Sequence, residues 1–250
     1  MISLAGKAAL VTGGSRGIGR AVALLLARAG ADVGITCLSR RADADAVAAE
    51  IRTLGRQAWV GLGDLGDPAV ADRLVGEAAS ALGGLDCFVG NAGIWPAEDL
   101  PLAEMPDGRW VGTMRANLDA IFYTTRAALR RLRTPGRVVL IGSTAGQRGE
   151  AYHADYAATK GAMIALVKSL CVEAAPDITV NCVAPGWVDT EMCWPAFADG
   201  GRARIEAGIP LRRVASPEDV AGPVAFLCSD LARHVTGEVL NVNGGSVLCG

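Results

Sequence analysis

Tyr156 and Lys160 stand four residues apart in Tyr156-Ala157-Ala158-Thr159-Lys160, with Ser143 thirteen residues before the tyrosine. Reducing a ketone by hydride leaves a developing alkoxide. That oxygen needs a proton donor and hydrogen bonds aimed at it. A free tyrosine, with a pKa of about 10, is a sluggish acid or base near neutrality. A nearby ammonium favours the tyrosinate and lowers that value. Spacing i, i+4 puts Tyr156 and Lys160 on one face of a helix. The chain has three Tyr and only three Lys against 21 Arg. A chance Tyr-x-x-x-Lys is therefore expected only about 0.04 times.

About 130 residues earlier the chain reads Thr12-Gly13-Gly14-Ser15-Arg16-Gly17-Ile18-Gly19. Glycines at this spacing permit positive φ and let backbone N–H groups approach a pyrophosphate. The turn follows an apolar run and opens a helical pattern, and the helix N-terminus adds about half a positive charge. A turn of this kind binds a dinucleotide.

These residues need a scaffold, and the pattern around them supplies one. Short apolar runs at 8–12, 33–37, 58–62, 85–90, 137–142, 178–183 and 239–242 read as buried strands. Helical patterns near 18–29, 42–54, 68–82, 108–133, 156–174 and 217–229 separate them. Apolar strands alternating with helices predict an α/β fold: one doubly wound parallel sheet, Rossmann-like, of about seven strands. No linker, repeat or low-complexity tract divides residues 1–250. The least regular stretch, 189–210, is expected to form a substrate lid.

Composition narrows the function classes. Half the residues are apolar and the net charge is −2, with charges scattered. That disfavours nucleic-acid binding, which needs a basic face. The longest strictly apolar run, Ala21 to Ala27, is too short to span a bilayer. No basic segment leads into an apolar stretch at the N-terminus, and the seven cysteines lack Cys-x-x-Cys spacing, so a cytoplasmic location is expected. The two histidines, His153 and His234, read as structural, and no metal is expected.

The glycine pattern Thr-Gly-x-x-x-Gly-x-Gly resembles that of the short-chain dehydrogenase/reductase family, and the resemblance covers almost the whole chain. Asn91-Ala92-Gly93 matches the family's Asn-Ala-Gly after the fourth strand, with Gly90 where many members have a second Asn. Asn117, Ser143, Tyr156 and Lys160 match its catalytic tetrad in order and spacing. Pro185-Gly186, with Val188 and Thr190, matches the segment at the nicotinamide end, and Asp64-Leu65 the position that meets the adenine ring. The segments 211–220, 236–237 and 243–245 resemble the C-terminal half of bacterial 3-oxoacyl-carrier-protein reductases. The resemblance implies that Lys160 also binds the nicotinamide ribose, that Ser143 bonds the substrate oxygen, and that Asn117 holds a water leading from Lys160. It also implies a homotetramer built through the long helices. Met163, Leu166, Val167 and Leu170 suit such an interface, or equally the monomer's own sheet.

The end of the second strand reads Ile35-Thr36-Cys37-Leu38-Ser39-Arg40-Arg41, with no acid to accept ribose hydroxyls. Arg16 and Arg40 suit a 2′-phosphate, so NADPH is favoured over NADH. Ile94, Trp95, Gln147, Trp187, Met192 and Trp194 are the candidate substrate pocket, and their aromatic weight suggests an apolar or bulky ketone. An acyl carrier protein would need a basic grip. Arg130, Arg131 and Arg133 supply part of it, but Val172 stands where a second arginine belongs. The expected function is therefore NADPH-dependent reduction of a ketone or 3-oxoacyl group with Tyr156 as general acid. The alternatives are an NAD-dependent alcohol or polyol dehydrogenase, and a nucleotide-sensing or scaffold protein on the same fold.

Overall fold

The computed structural model describes residues 2–248; residue 1 and residues 249–250 of the expected 1–250 domain lie outside the described residues. Seven parallel strands form one sheet in the order β3-β2-β1-β4-β5-β6-β7. They are β1 (Ala8–Val11), β2 (Asp32–Cys37), β3 (Ala58–Leu62), β4 (Cys87–Gly90), β5 (Gly136–Ile141), β6 (Ile178–Pro185) and β7 (Val239–Val242). The expected strands agree with these to within two residues, because strands covered on both faces read as near-continuous apolar runs.

Helices α1 (Gly17–Arg28) and α2 (Arg41–Thr53) cover one face of the sheet. Helix α3 (Pro68–Ala81) lies on the other. There it packs with the long α-helical region, which the structure divides into α4 (Asp107–Met114), a π-helical turn (Arg115–Asp119) and α5 (Ala120–Leu129). After β5 come a single turn, α6 (Ala145–Arg148), and the 20-residue α7 (Ala154–Glu173). The stretch 189–210 contains two short helices, α8 (Trp194–Phe197) and α9 (Gly201–Gly208). Pro195 sits in the first turn of α8, and Gly200 (φ +77°) sets the left-handed entry to α9. Helix α10 (Pro217–Cys228) then packs on α1.

The sheet order reverses between β1 and β4, which opens a crevice at their C-terminal ends. Two apolar cores hold its walls fixed. Val11, Ile35 and Val89 pack toward α1, α2 and α10, and Phe88, Leu140 and Val138 pack toward α3, α5 and α7. Met163, Val167 and Leu170 are buried in the second core. Of the two faces open to these residues from sequence, the structure uses the sheet. Exposed apolar residues on this side include Trp110, Val111 and Phe122 of α4 and α5, and Val172 of α7. Among the described residues no helix is long and apolar enough to cross a membrane.

Candidate active site

The glycine turn runs from β1 into α1 at the crevice. Gly13 (φ +66°) and Gly17 (φ +52°) adopt backbone that L side chains rarely reach. A Cβ on Gly19 would fall 2.2 Å from the Gly13 carbonyl oxygen, so α1 approaches its own turn only because no side chain intervenes. Ser15 is buried within the turn, and Ile18 packs on the first core. Asn91, just after β4, pins the arrangement. Its Nδ2 donates to the Thr12 (2.8 Å) and Gly13 (3.2 Å) carbonyls. The Thr12 hydroxyl accepts from the Asn91 (2.9 Å) and Ala92 (3.0 Å) amides. A dinucleotide pyrophosphate fits this side-chain-free cradle at a helix N-terminus.

The remaining expected cofactor positions surround the same crevice. Asp64 pairs with Arg115 of the π-turn (2.8 Å) and accepts from the Gly66 amide (2.8 Å), while Leu65 is buried against Leu74 and Ala120. Pro185 ends β6 and Gly186 follows it. Val188 bridges to Ala215, and a Cβ on Gly17 would lie 3.2 Å from the Thr190 methyl. Arg16, immediately before α1, and Arg40, immediately before α2, converge on one partner that sequence reasoning did not find: the Glu191 carboxylate.

Asn117 is fully buried in the π-turn, a helix variant that often marks functional positions. Its Oδ1 accepts from the Ile94 amide (2.7 Å), and its Nδ2 donates to the Ile94 carbonyl (2.9 Å) and to the Thr159 hydroxyl (3.3 Å). The amide therefore braces the chain after Gly93 against α7. Both Nδ2 hydrogens and one acceptor site of Oδ1 are thus taken by protein partners. Gly93 fits between Asn117 and Lys160: a Cβ on it would stand 3.0 Å from Asn117 Oδ1 and 3.9 Å from Lys160 Nζ.

Ser143 lies two residues beyond β5, and its Oγ accepts from the Ala145 amide at 3.1 Å. Tyr156 projects from the first turn of α7. Burial pushes its phenol far above the ordinary value. The Ser143 hydroxyl opposes the shift, and Glu150 and Cys193 add to it. Lys160, one turn on, stands with Nζ 5.7 Å from the centre of the Tyr156 ring. Its ammonium donates to the Ile141 carbonyl at 2.8 Å. Burial pulls it down to about 8. The net shift of the phenol is therefore upward and is set by desolvation, with the ammonium held by β5 and lying over the ring.

The first turn of α7 is itself tied down. Asp155 is fully buried and accepts from Arg109 Nε (3.1 Å) and Thr113 Oγ1 (2.8 Å), lashing the residue beside Tyr156 to α4. The only hint in sequence was an acid in a helical first turn, which is common.

Beyond Tyr156 a cavity is lined by Trp95, Ser143, Arg148, Glu150, Trp187, Met192 and Cys193, among others. Trp95, Trp187 and Met192 lie where expected. Ile94 meets the site chiefly through its backbone, its side chain being exposed. Gln147 turns away and bonds Asn241 of β7 at 2.6 Å. Trp194 is exposed, with its indole nitrogen on Asp189 (3.3 Å), so it lies at the surface rather than in the pocket. Trp95 stacks on His153 with ring centres 4.6 Å apart, which gives that histidine a structural task. Sequence reasoning missed Glu150. Its carboxyl accepts from the Trp95 indole (3.3 Å) and is raised by burial.

A parallel sheet with the order 3-2-1-4-5-6-7, a glycine cradle at its switch point, and a Ser/Tyr/Lys group beside that cradle form one crevice. The family model described as enoyl-(acyl carrier protein) reductase matches residues 13–246. The 3-oxoacyl-[acyl-carrier-protein] reductase FabG of Escherichia coli (strain K12) is 40% identical over 243 residues, which cover 96% of this chain and 97% of the relative. The chain belongs to the short-chain dehydrogenase/reductase family. A solved family structure, a short chain dehydrogenase from Burkholderia cenocepacia J2315 in complex with NADP, superposes with a TM-score of 0.91. It is 39% identical and covers 97% of this chain and 98% of its own. The Brucella melitensis protein described as a short-chain dehydrogenase/reductase, glucose/ribitol dehydrogenase, gives a TM-score of 0.93 at 36% identity, with 99% of each chain covered. Like other short-chain dehydrogenases/reductases, this chain is an NAD(P)-dependent oxidoreductase acting on a carbonyl or alcohol.

Proposed function

We propose that the enzyme reduces a ketone or 3-oxoacyl group of a small molecule to a secondary alcohol, with NADPH as reductant. The observation that carries this reading is the meeting of the Ser143 hydroxyl and the Tyr156 phenol in one cavity walled by Trp95, Trp187 and Met192. When bound, the reduced nicotinamide supplies the hydride that forms the new C–H bond at the carbonyl carbon. Ser143 donates a hydrogen bond to the carbonyl oxygen. Tyr156 gives its phenolic proton to the same oxygen as the C=O π bond opens, and the tyrosinate is reprotonated afterwards. The phenol carries its proton at neutral pH, so the proton is in place to meet the oxygen as the hydride arrives. Lys160, beside the ring and under the crevice, stabilises the transient tyrosinate and offers donors to a ribose.

The preference for NADPH rests on Arg16 in the glycine turn, on Arg40 after β2, and on the absence of an acid at the end of β2. The binding of NADP by the Burkholderia relative accords with it. The apolar, aromatic wall of Trp95, Trp187 and Met192 suits a bulky substrate. The arginine cluster proposed to grip a carrier protein is largely neutralised within the chain. Arg131 pairs with Asp72 (2.8 Å) and Arg133 with Asp86, so only Arg130 of the three lacks a carboxylate partner among the described residues. A free substrate is therefore the better reading. Comparing kcat/KM for a 3-oxoacyl thioester of a short thiol with the same acyl group on acyl carrier protein tests it. The two are expected to agree within about threefold, far less than the steering a basic docking patch gives. A preference of a hundredfold for the carrier form would overturn the free-substrate reading. The exposed Trp110, Val111 and Phe122 support self-association through α4 and α5 into the proposed homotetramer. The six described cysteines are all unpaired, in keeping with the proposed cytoplasmic location.

A further inference from the structure

Arg16 and Arg40 come from different elements, yet both guanidinium groups meet the carboxylate of Glu191. Arg16 Nη1 bonds Glu191 Oε2. Arg40 Nη2 stands 3.0 Å from the same oxygen, and Arg40 Nη1 3.5 Å from Oε1. Asp43 adds a weaker contact to Arg40 at 3.3 Å. Two guanidiniums converging on one oxyanion make a site of charge +2 for an oxygen-rich anion. Here the chain fills it with its own carboxylate.

The position of Glu191 gives this consequence. Thr190, just before it, packs on Gly17 of the cradle. Met192 and Cys193, just after it, line the cavity at Tyr156. Glu191 thus joins the far end of the cofactor crevice to the wall of the substrate pocket within the four consecutive residues 190–193.

We propose that Glu191 is an internal competitor for the cofactor's 2′-phosphate and so tunes discrimination between NADP and NAD; this rests on the NADPH reading above. The dianionic phosphate takes Arg16 and Arg40 from Glu191, whose side chain is already 35% exposed and moves into water at little cost. Displacement frees the 190–193 segment to settle around a substrate. A cofactor without the phosphate leaves both arginines bridged to Glu191 and the segment held. The affinity for the phosphate-bearing cofactor is lowered by the fraction of molecules in which the latch is closed.

The test uses two adenosine fragments, 2′,5′-ADP and 5′-AMP, whose binding is measured by titration calorimetry at low salt. The proteins are the wild type, Glu191→Gln and the double variant Arg16→Ala/Arg40→Ala. Glutamine keeps the size of the side chain and removes its charge. The expected result is that Glu191→Gln binds 2′,5′-ADP about three- to tenfold tighter, the size of effect that opening a mostly closed latch gives. Binding of 5′-AMP stays unchanged, and the gain shrinks as salt screens the exposed charges. If the double variant loses its preference for 2′,5′-ADP while Glu191→Gln binds it no tighter than wild type, the latch is overturned and the NADPH reading stands. If the wild type itself binds 2′,5′-ADP no better than 5′-AMP, the NADPH reading falls and the latch with it.

Discussion

Replacing Tyr156 with phenylalanine lowers kcat for ketone reduction by about a hundred- to ten-thousandfold, the range a positioned general acid contributes. The ring, its packing and the helix remain, so the loss isolates the hydroxyl. KM changes little, because the phenolic proton is transferred only in the transition state. Cofactor affinity is retained, since the cradle of Gly13, Gly17 and Gly19 and the Asn91 clamp are untouched. Stability changes by no more than about 1 kcal/mol, because the half-buried ring keeps its packing and only the hydroxyl and its hydrogen bond are lost. Steady-state kinetics, with a thermal melt as control, checks all three statements. A Tyr156→Phe enzyme with kcat within a few-fold of wild type would remove the phenol from the mechanism.

The second large effect concerns Lys160, where function and stability oppose each other. The ammonium is 4% exposed and has two partners, the Ile141 carbonyl and the Met163 sulfur at 3.7 Å, neither of them an anion. Burial lowers it from 10.5 to about 8. Below pH 8 the folded protein therefore carries a charge it would rather shed, at a cost of about 3 kcal/mol. Between pH 8 and 10.5 the unfolded chain binds more protons than the folded one. The stability of the wild type accordingly rises with pH through that window. Lys160→Met keeps the length of the side chain and removes the charge, but leaves the Ile141 carbonyl without this donor. The net expectation is a gain of about 2 kcal/mol at pH 7 in the cofactor-free protein, shrinking toward pH 10. Activity falls by at least about a hundredfold in the same variant, since the tyrosinate loses its cation. Urea unfolding of both proteins at pH 7 and pH 10 tests the sign. A variant less stable than wild type at pH 7 would contradict it. Such a trade is expected where a site must hold a strained charge ready for use.

Much of this was legible in the chain. The seven strands were readable because a doubly covered parallel sheet leaves little room for polar residues. The cradle was readable because Gly13, Gly17 and Gly19 meet steric demands that no other residue satisfies. The order and spacing of Asn117, Ser143, Tyr156 and Lys160 pointed to one site, and the structure gathers the four around the ends of β4 and β5. What escaped was set by small local choices. The π-turn at 115–119 adds one residue to a turn of an otherwise regular helix, which leaves the apolar periodicity intact on both sides. Gln147 and Trp194 looked like pocket residues by position, but their polar atoms found partners elsewhere, on Asn241 and Asp189. Glu150, Asp155 and Glu191 are three ordinary acids in the sequence. Each acquires its role only from what the fold sets against it: an indole, an arginine with a threonine, and two arginines. The face chosen by Met163, Val167 and Leu170 depended on the packing of α7 against the sheet, which periodicity alone does not orient.

NADPH-dependent reduction of a carbonyl is proposed at the Ser143–Tyr156 site. The most direct measurement is the ratio of kcat/KM for NADPH to that for NADH, followed on a bulky ketone and on a 3-oxoacyl thioester with purified enzyme. Secondary-alcohol product is expected with both substrates, with a ratio of at least about ten, as when two arginines meet a phosphate. A ratio below one, or cofactor binding without any alcohol formed, would contradict it.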